Sequence, residues 1–231
     1  MNEKVIWDYL YGKINNPYGT AALMGNLYVE SRLDPSLLQG SYARKFGMTS
    51  DEYTKAVDNN MYLDFVHDSA GYGLAQWTYW SRKEALLSYA KKVNKSVGDL
   101  QTQLDFLWEE LQSYKTVINA LKNAVDIRTT SDIVCARYER PTDQSEKAKQ
   151  NRANYAMAFF SEFCEKKTVK KVVVTTDRVN VRLGNGKEFA RIFLTNSGSS
   201  YEWIATAENG WHAVKLDKQV GWISGEFSKV Q

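Results

Sequence analysis

The hydrophobic pattern of this chain changes period once, near residues 165–169, and that change governs what the chain can fold into. Before it, Leu100, Leu104, Leu107 and Leu111 recur at helical spacing and mark an amphipathic helix over about residues 97–114. After it, Val172-Val173-Val174 and Val179-Asn180-Val181-Arg182-Leu183 are β-type runs. Turn sequences punctuate that second part: Gly184-Asn185-Gly186, Asn196-Ser197-Gly198 and Asn209-Gly210. The expectation is an α+β multidomain protein, with a mostly α-helical domain at residues 1–165, a linker at 166–169 and a small all-β barrel at 170–231.

In the first part, a helix opens at Asn16-Pro17, a cap followed by proline at the first helical position. It reaches Glu30 or Ser31, and Pro35 stops it soon after. A polar stretch at residues 39–60 carries a short helix from Ser50-Asp51-Glu52. Further helices are expected over residues 81–92, 117–124, 131–138 and 145–164. Glu165-Lys166-Lys167 is expected as a simple helix end, its lysines near the last carbonyls.

Residues 1–11 contain Glu3, Lys4 and Asp8, so no secretory leader is expected there. No segment approaches the roughly 18 apolar residues of a membrane span. Cys135 and Cys164 are too sparse for a disulfide framework and lack metal-ligand spacing, so both are expected as free buried thiols. The net charge of +3 sits in the tail: nine Lys/Arg against six Asp/Glu from Thr168 onward, twenty-one against twenty-one before it. Such a tail suits an anionic wall or a merely soluble surface. No basic cluster is dense enough for nucleic acid.

Two elements can carry chemistry. Glu30 continues the apolar stripe of Leu23 and Leu27, so its carboxylate is expected to be partly desolvated at a helix end. Desolvation favours the neutral acid and suits a proton donor. The other reading is a terminal glutamate paired with Arg32 or Arg137. The second element is Ala70-Gly71-Tyr72-Gly73-Leu74-Ala75-Gln76-Trp77, a tight glycine turn where backbone can approach a ligand. Gln76 and Trp77 would bind a sugar there, or the turn simply leads into a buried tryptophan.

Glu30-Ser31 followed by Gly71-Tyr72-Gly73-Leu74-Ala75-Gln76 resembles the goose-type lysozyme and lytic transglycosylase superfamily. Adding Asn16-Pro17, Trp77 and Tyr138-Glu139-Arg140-Pro141, residues 1 to about 165 resemble the phage tail-type lysozyme family more closely. The resemblance implies a peptidoglycan hydrolase of endolysin type that cleaves between N-acetylmuramic acid and N-acetylglucosamine, with Glu30 as general acid. Ser31, Tyr72, Gln76, Trp77, Tyr138 and Glu139 would bind substrate, and no metal or cofactor is implied. Ala75 stands where transglycosylases usually carry Met, and their later Ala-Glu-Asn-Ile-like motif is absent, which favours hydrolysis. An inverting hydrolase needs a second carboxylate to activate water, whereas a transglycosylase needs none. Asp68 is favoured for that base, with Asp64, Asp34 and Glu139 as alternatives. Glu139 could instead form an ion pair that fixes the groove wall. His67 has no partner for a zinc site and is expected as structural or surface.

In the tail, Arg178-Val179-Asn180-Val181-Arg182, then Gly210-Trp211-His212-Ala213-Val214 and Gly221-Trp222-Ile223, resemble the bacterial SH3 family over about residues 170–231. That resemblance implies binding to wall peptide or glycan. Tyr201 and Trp203 are the first expected contacts, with Trp211 and Trp222 also named and expected mainly to hold the core. The protein is expected to be made in the host cytoplasm and to act on the bacterial wall, released through a holin or carried in a virion. The rivals are a lytic transglycosylase and a non-catalytic wall-binding virion protein.

Overall fold

A computed structural model describes residues 2–164, 170–217 and 219–231. The chain divides into two compact units, Met1–Glu165 and Lys166–Gln231. The helical first part and strand-built second part give the α+β two-domain architecture expected from the change of period. The linker expected at 166–169, and the helix end at Glu165-Lys166-Lys167, lie outside the described residues.

The first unit holds nine α-helices among its described residues: α1 (Asn2–Ile14), α2 (Pro17–Ser31), α3 (Gly40–Phe46), α4 (Ser50–Asp58), α5 (Trp80–Lys92), α6 (Leu100–Leu111), α7 (Lys115–Lys122), α8 (Ile127–Val134) and α9 (Glu146–Phe163). Helix α2 is the central one. Asn16 Oδ1 accepts from the Gly19 amide at 3.1 Å, and Pro17 occupies the first turn. It is buried almost throughout from Gly19 to Leu27, so its sequence is apolar around the whole circumference rather than striped. Arg32 and Leu33, both with left-handed φ (55° and 60°), end it abruptly. Helix α9 packs along it at Gly25, where an added Cβ would lie 2.5 Å from the Arg152 carbonyl oxygen and 2.7 Å from the Ala156 Cβ. Only glycine allows that approach.

Helix α1 was not expected. Its buried side, Ile6, Trp7, Leu10 and Ile14, is interrupted by charges that screen the pattern in a one-dimensional reading. Helix α3 carries no buried residue, which is why no apolar period announces it. Helix α4 begins where expected, fixed by a Thr49–Glu52 capping box. The helix expected at 131–138 is two elements. Helix α8 runs into a π-helical turn, Cys135–Glu139, closed by the Arg140 amide donating to the Cys135 carbonyl at 2.8 Å. Such turns re-aim the side chains that follow and are frequent at functional sites. Both cysteines are free, Cys135 buried and Cys164 partly exposed.

The second unit is one seven-stranded antiparallel sheet ordered β3-β2-β6-β5-β4-β1-β7. Its strands are β1 (Lys171–Val174), β2 (Val179–Arg182), β3 (Arg191–Thr195), β4 (Ser200–Thr206), β5 (Trp211–Lys215), β6 (Val220–Ser224) and β7 (Ser228–Val230). Val172, Val174, Val179, Val181, Val214 and Ile223 form its core. The alternation of Val179 and Val181 inward with Asn180 and Arg182 outward follows the two-residue period of a strand.

Candidate functional site

Glu30 sits in the last turn of α2, with its side chain 19% exposed. Its partner is neither Arg32 nor Arg137. Arg152, from α9, donates from Nη2 to Glu30 Oε1 at 2.6 Å and is itself only 6% exposed. Arg32 is engaged elsewhere, 4.8 Å over the Tyr28 ring and 5.5 Å from that of Tyr155. The Glu30–Arg152 pair depends on the close contact at Gly25, because that contact fixes how near α9 lies to the end of α2.

Glu139 ends the π-helical turn and joins this pair electrostatically. Burial pushes its carboxyl well above the usual carboxylate range, and the Glu30 carboxylate adds to that shift against the opposing Arg82 and Arg152 charges. Its Oε1 is buried without a hydrogen-bond partner, as is Nε of Arg152. A carboxyl held neutral beside an ion-paired carboxylate is the arrangement that separates the roles of two acids. An open cleft of about 760 Å³ reaches Arg152 from outside, lined also by Val29, Pro141, Asp143, Lys147 and Asn151.

Next to Glu139 in sequence, Tyr138 is buried, and its hydroxyl donates to Glu110 Oε2 at 2.6 Å. Trp77, also buried, donates from Nε1 to the same oxygen at 3.0 Å. Arg82 completes the cluster with bonds of 2.6 and 2.8 Å to the two Glu110 oxygens. Burial alone would raise the Glu110 pKa, but Arg82, Tyr138 and Trp77 outweigh it and hold the group below the usual range. Trp77 and Tyr138, expected as substrate contacts, are therefore parts of a buried carboxylate cradle.

The glycine turn is likewise built inward. Ser31 is buried and its hydroxyl donates to the Leu74 carbonyl at 2.8 Å, tying the end of α2 to the turn. Tyr72 is buried, with its hydroxyl 2.6 Å from that of Thr54. Gln76, half-buried at a φ of 43°, donates to the carbonyls of Leu37 and Gly73 at 3.0 and 3.1 Å. Gly73 has a φ of 72° and leaves room for the Gln103 amide, whose Oε1 accepts from the Leu74 amide at 2.9 Å. The expected sugar contacts Ser31, Tyr72 and Gln76 are corrected on this ground: the two hydroxyls and the Gln76 amide N–H groups are already used inside the protein.

Asp68, the favoured base, is corrected for a stronger reason. Lys83 Nζ, fully buried, binds its Oδ1 at 2.5 Å and the Ala70 carbonyl at 2.9 Å. The Ala70 amide donates to the same Oδ1 at 2.9 Å, and Tyr53 and Tyr62 donate to Oδ2. Its side chain is 3% exposed. A carboxylate held by four donors and closed to solvent orders the fold and does not activate water. Asp34 accepts from the Ser36 amide and hydroxyl, each at 2.8 Å, as a turn cap. Asp64 is exposed at the start of a short 3-10 turn, and His67, also exposed, lies just beyond that turn. Of the four expected bases, Glu139 is the one whose carboxyl is shifted by the Glu30 charge.

In the second unit the four aromatics named from the sequence are all half-buried. Tyr201 and Trp203 pack against the valine core. The Tyr201 hydroxyl is 2.6 Å from that of Thr195, and Trp203 Nε1 donates to Thr206 at 3.0 Å. Trp211 instead lines an open depression on the surface. Trp222 is half-buried in β6, paired with Ala213 and Arg182.

Arg152, Arg82 and Glu110 were not foreseen. The heptad-like spacing of α6 marks its apolar side but gives no signal for a buried glutamate beside it. Arg152 and Glu30 are 122 positions apart, so no local pattern joins them.

A family model described as phage tail lysozyme matches residues 1–163 of the 231-residue chain. A search of curated proteins found no match. The chain belongs to the phage tail lysozyme family.

Proposed function

We propose that this protein is a peptidoglycan glycosidase that cleaves the β-1,4 bond between N-acetylmuramic acid and N-acetylglucosamine, with Glu30 as general acid. The observation that carries the reading is the trio of Glu30, Glu139 and Arg152, the last of which lines an open cleft, in a chain of the phage tail lysozyme family. Glu30 delivers the proton to the glycosidic oxygen. Glu139, kept neutral by burial, is the adjacent proton store, and Arg152 stabilises whichever member is ionised. Moving one proton between two carboxyls avoids placing two negative charges in one site. General acid action of this kind contributes about 10²–10⁴ in rate.

Completion of the reaction divides two readings. In a muramidase, water held by a second carboxylate attacks the sugar. In a lytic transglycosylase, the 6-hydroxyl of the sugar attacks and leaves an anhydro end. The second reading is favoured by one observation: among the described residues, none of the four expected bases is both ionised and free in the cleft. Asp68 is bound to Lys83, Asp34 caps a turn, Asp64 is exposed on a 3-10 turn and does not line the cleft, and burial favours the neutral form of Glu139.

The strand-built unit is proposed as the wall anchor, raising the local substrate concentration without adding chemistry. Release through a holin or carriage in a virion both deliver such an enzyme to the wall.

The deciding experiment is digestion of purified peptidoglycan with the intact protein, followed by mass spectrometry of the new ends. Reducing muramic acid ends establish the muramidase. Anhydro ends establish the transglycosylase. Uncut glycan on every wall type tested sinks both and leaves a binding or structural virion protein.

A further inference from the structure

The strand-built unit carries a basic trough that glycan cleavage does not use, and we infer that it binds the phosphodiester backbone of an anionic wall polymer. The inference rests on the proposed wall enzyme only for where that polymer is met.

The trough is formed by two adjoining depressions of about 320 and 360 Å³ that share Lys187, Trp211 and Ser224. Arg178 and Arg182 join Lys187 on the first. Among the described residues none of these three cations is in an ion pair, whereas Lys215 elsewhere in the unit pairs with Glu202 at 3.5 Å. Arg182 is held in place from one side, donating from Nη1 to the Phe189 carbonyl at 2.7 Å. Of the acidic groups facing the trough, Asp177 already accepts from the Ser197 amide at 3.0 Å, and Glu226 lines only the second depression. The first depression therefore presents three cations against one carboxylate, which already accepts from a backbone donor.

The backbone adds a second observation. Arg178 has a φ of 59°, a left-handed conformation that glycine or asparagine adopts at less cost. Its amide is fixed there by donation to Asn196 Oδ1 at 3.1 Å. The turn thereby holds Arg178 at the lip of the first depression.

The shape selects the ligand. A terminal carboxylate calls for a closed pocket with one convergent set of donors. Here the depressions run into each other past Trp211, whose indole N–H has no partner among the described residues, so an extended chain fits. Repeating phosphates satisfy three separated cations, and the hydrocarbon between them lies on Trp211 and Phe227, the latter 40% exposed. Arginine and lysine both suit phosphate oxygens.

The full-length protein would be titrated with poly(glycerol phosphate), following tryptophan emission. Parallel titrations would use a wall tetrapeptide with free carboxylates and a neutral chitin oligosaccharide. Saturable binding of the polymer, weakening as salt is raised, is expected. In the double variant Arg178→Gly, Lys187→Gln, affinity should fall by at least about tenfold with the melting temperature preserved, because glycine is at ease at that φ. Failure of the polymer to bind overturns the inference, as does equal affinity in the double variant. Peptide binding that is lost in the double variant while the polymer is ignored also overturns it, in favour of a peptide site. Cleavage is scored separately on phosphate-free peptidoglycan. Cut glycan with no polymer binding removes this inference alone; polymer binding with uncut glycan removes the glycosidase reading alone.

Discussion

Arg152 donates to Glu30 at 2.6 Å across 122 positions of sequence, and the contact exists because Gly25 lets the backbone of α9 lie against α2. A helix end, a helix interior and one missing methyl group together place a cation on the proposed acid. Glu139 reaches the same neighbourhood because a π-helical turn, not a continued α-helix, leads into it.

Replacing Glu30 with Gln keeps an acceptor for Arg152 and removes the proton. Cleavage of soluble glycan chains should fall by about 10²–10⁴, scored per folded molecule because the buried Arg152 also loses its counter-charge. An active, folded E30Q protein would remove the acid assignment.

Gly25→Ala tests the helix contact. The new methyl meets the Arg152 carbonyl at 2.5 Å, so α9 must move outward and carry Arg152 with it. Overpacking of this kind costs about 1–3 kcal/mol, readable in urea unfolding, and the remaining folded fraction should cleave glycan more slowly. Unchanged stability and turnover would show that the contact is not what sets the pair.

Glu139→Gln separates charge from shape. The folded-state pKa of Glu139 lies above its ordinary 4.5, so the folded protein holds this proton more tightly than the unfolded chain. Its contribution to stability is therefore complete below that ordinary value and declines as pH rises toward the folded value. The variant should gain stability relative to the parent as pH rises above the ordinary value of 4.5, measured by urea unfolding at a series of pH values. A difference constant over that range would contradict the raised pKa. If Glu139 also stores the proton for Glu30, the variant's rate profile should lose its alkaline limb or move it to lower pH.

Asp68→Asn leaves the buried Lys83 cation without its counter-charge. Breaking such a pair costs about 3–5 kcal/mol, while turnover per folded molecule should persist. Lost turnover with full stability would return Asp68 to the chemistry.

Removing residues 168–231 should weaken retention on whole walls and spare cleavage of soluble glycan. Unchanged retention in a sedimentation assay would show that the anchor lies in the first unit.

The period of the apolar residues, read along the chain, determined that helices come first and an antiparallel sheet second. Local chemistry determined the start of α2 at Asn16-Pro17 and of α4 at Ser50. These features depend on residues within a few positions of each other, so a linear reading finds them. It also picked out Glu30, because a carboxylate at the end of a helix buried almost all round is anomalous within its own helix. Tertiary structure decided what each polar group faces. Asp68 and Glu139 look alike as acids near motif residues, yet Lys83 neutralises one, while burial beside Glu30 keeps a proton on the other. Trp77 and Tyr138 look like sugar contacts until Glu110, from another helix, takes up both donors. Trp203 and Trp211 are equally aromatic, yet the first packs on the core and the second lines a basic trough. The physical reason is common to all of them. Desolvation and ion pairing depend on distances in space between groups tens of residues apart, and hydrophobic period carries no information about those distances.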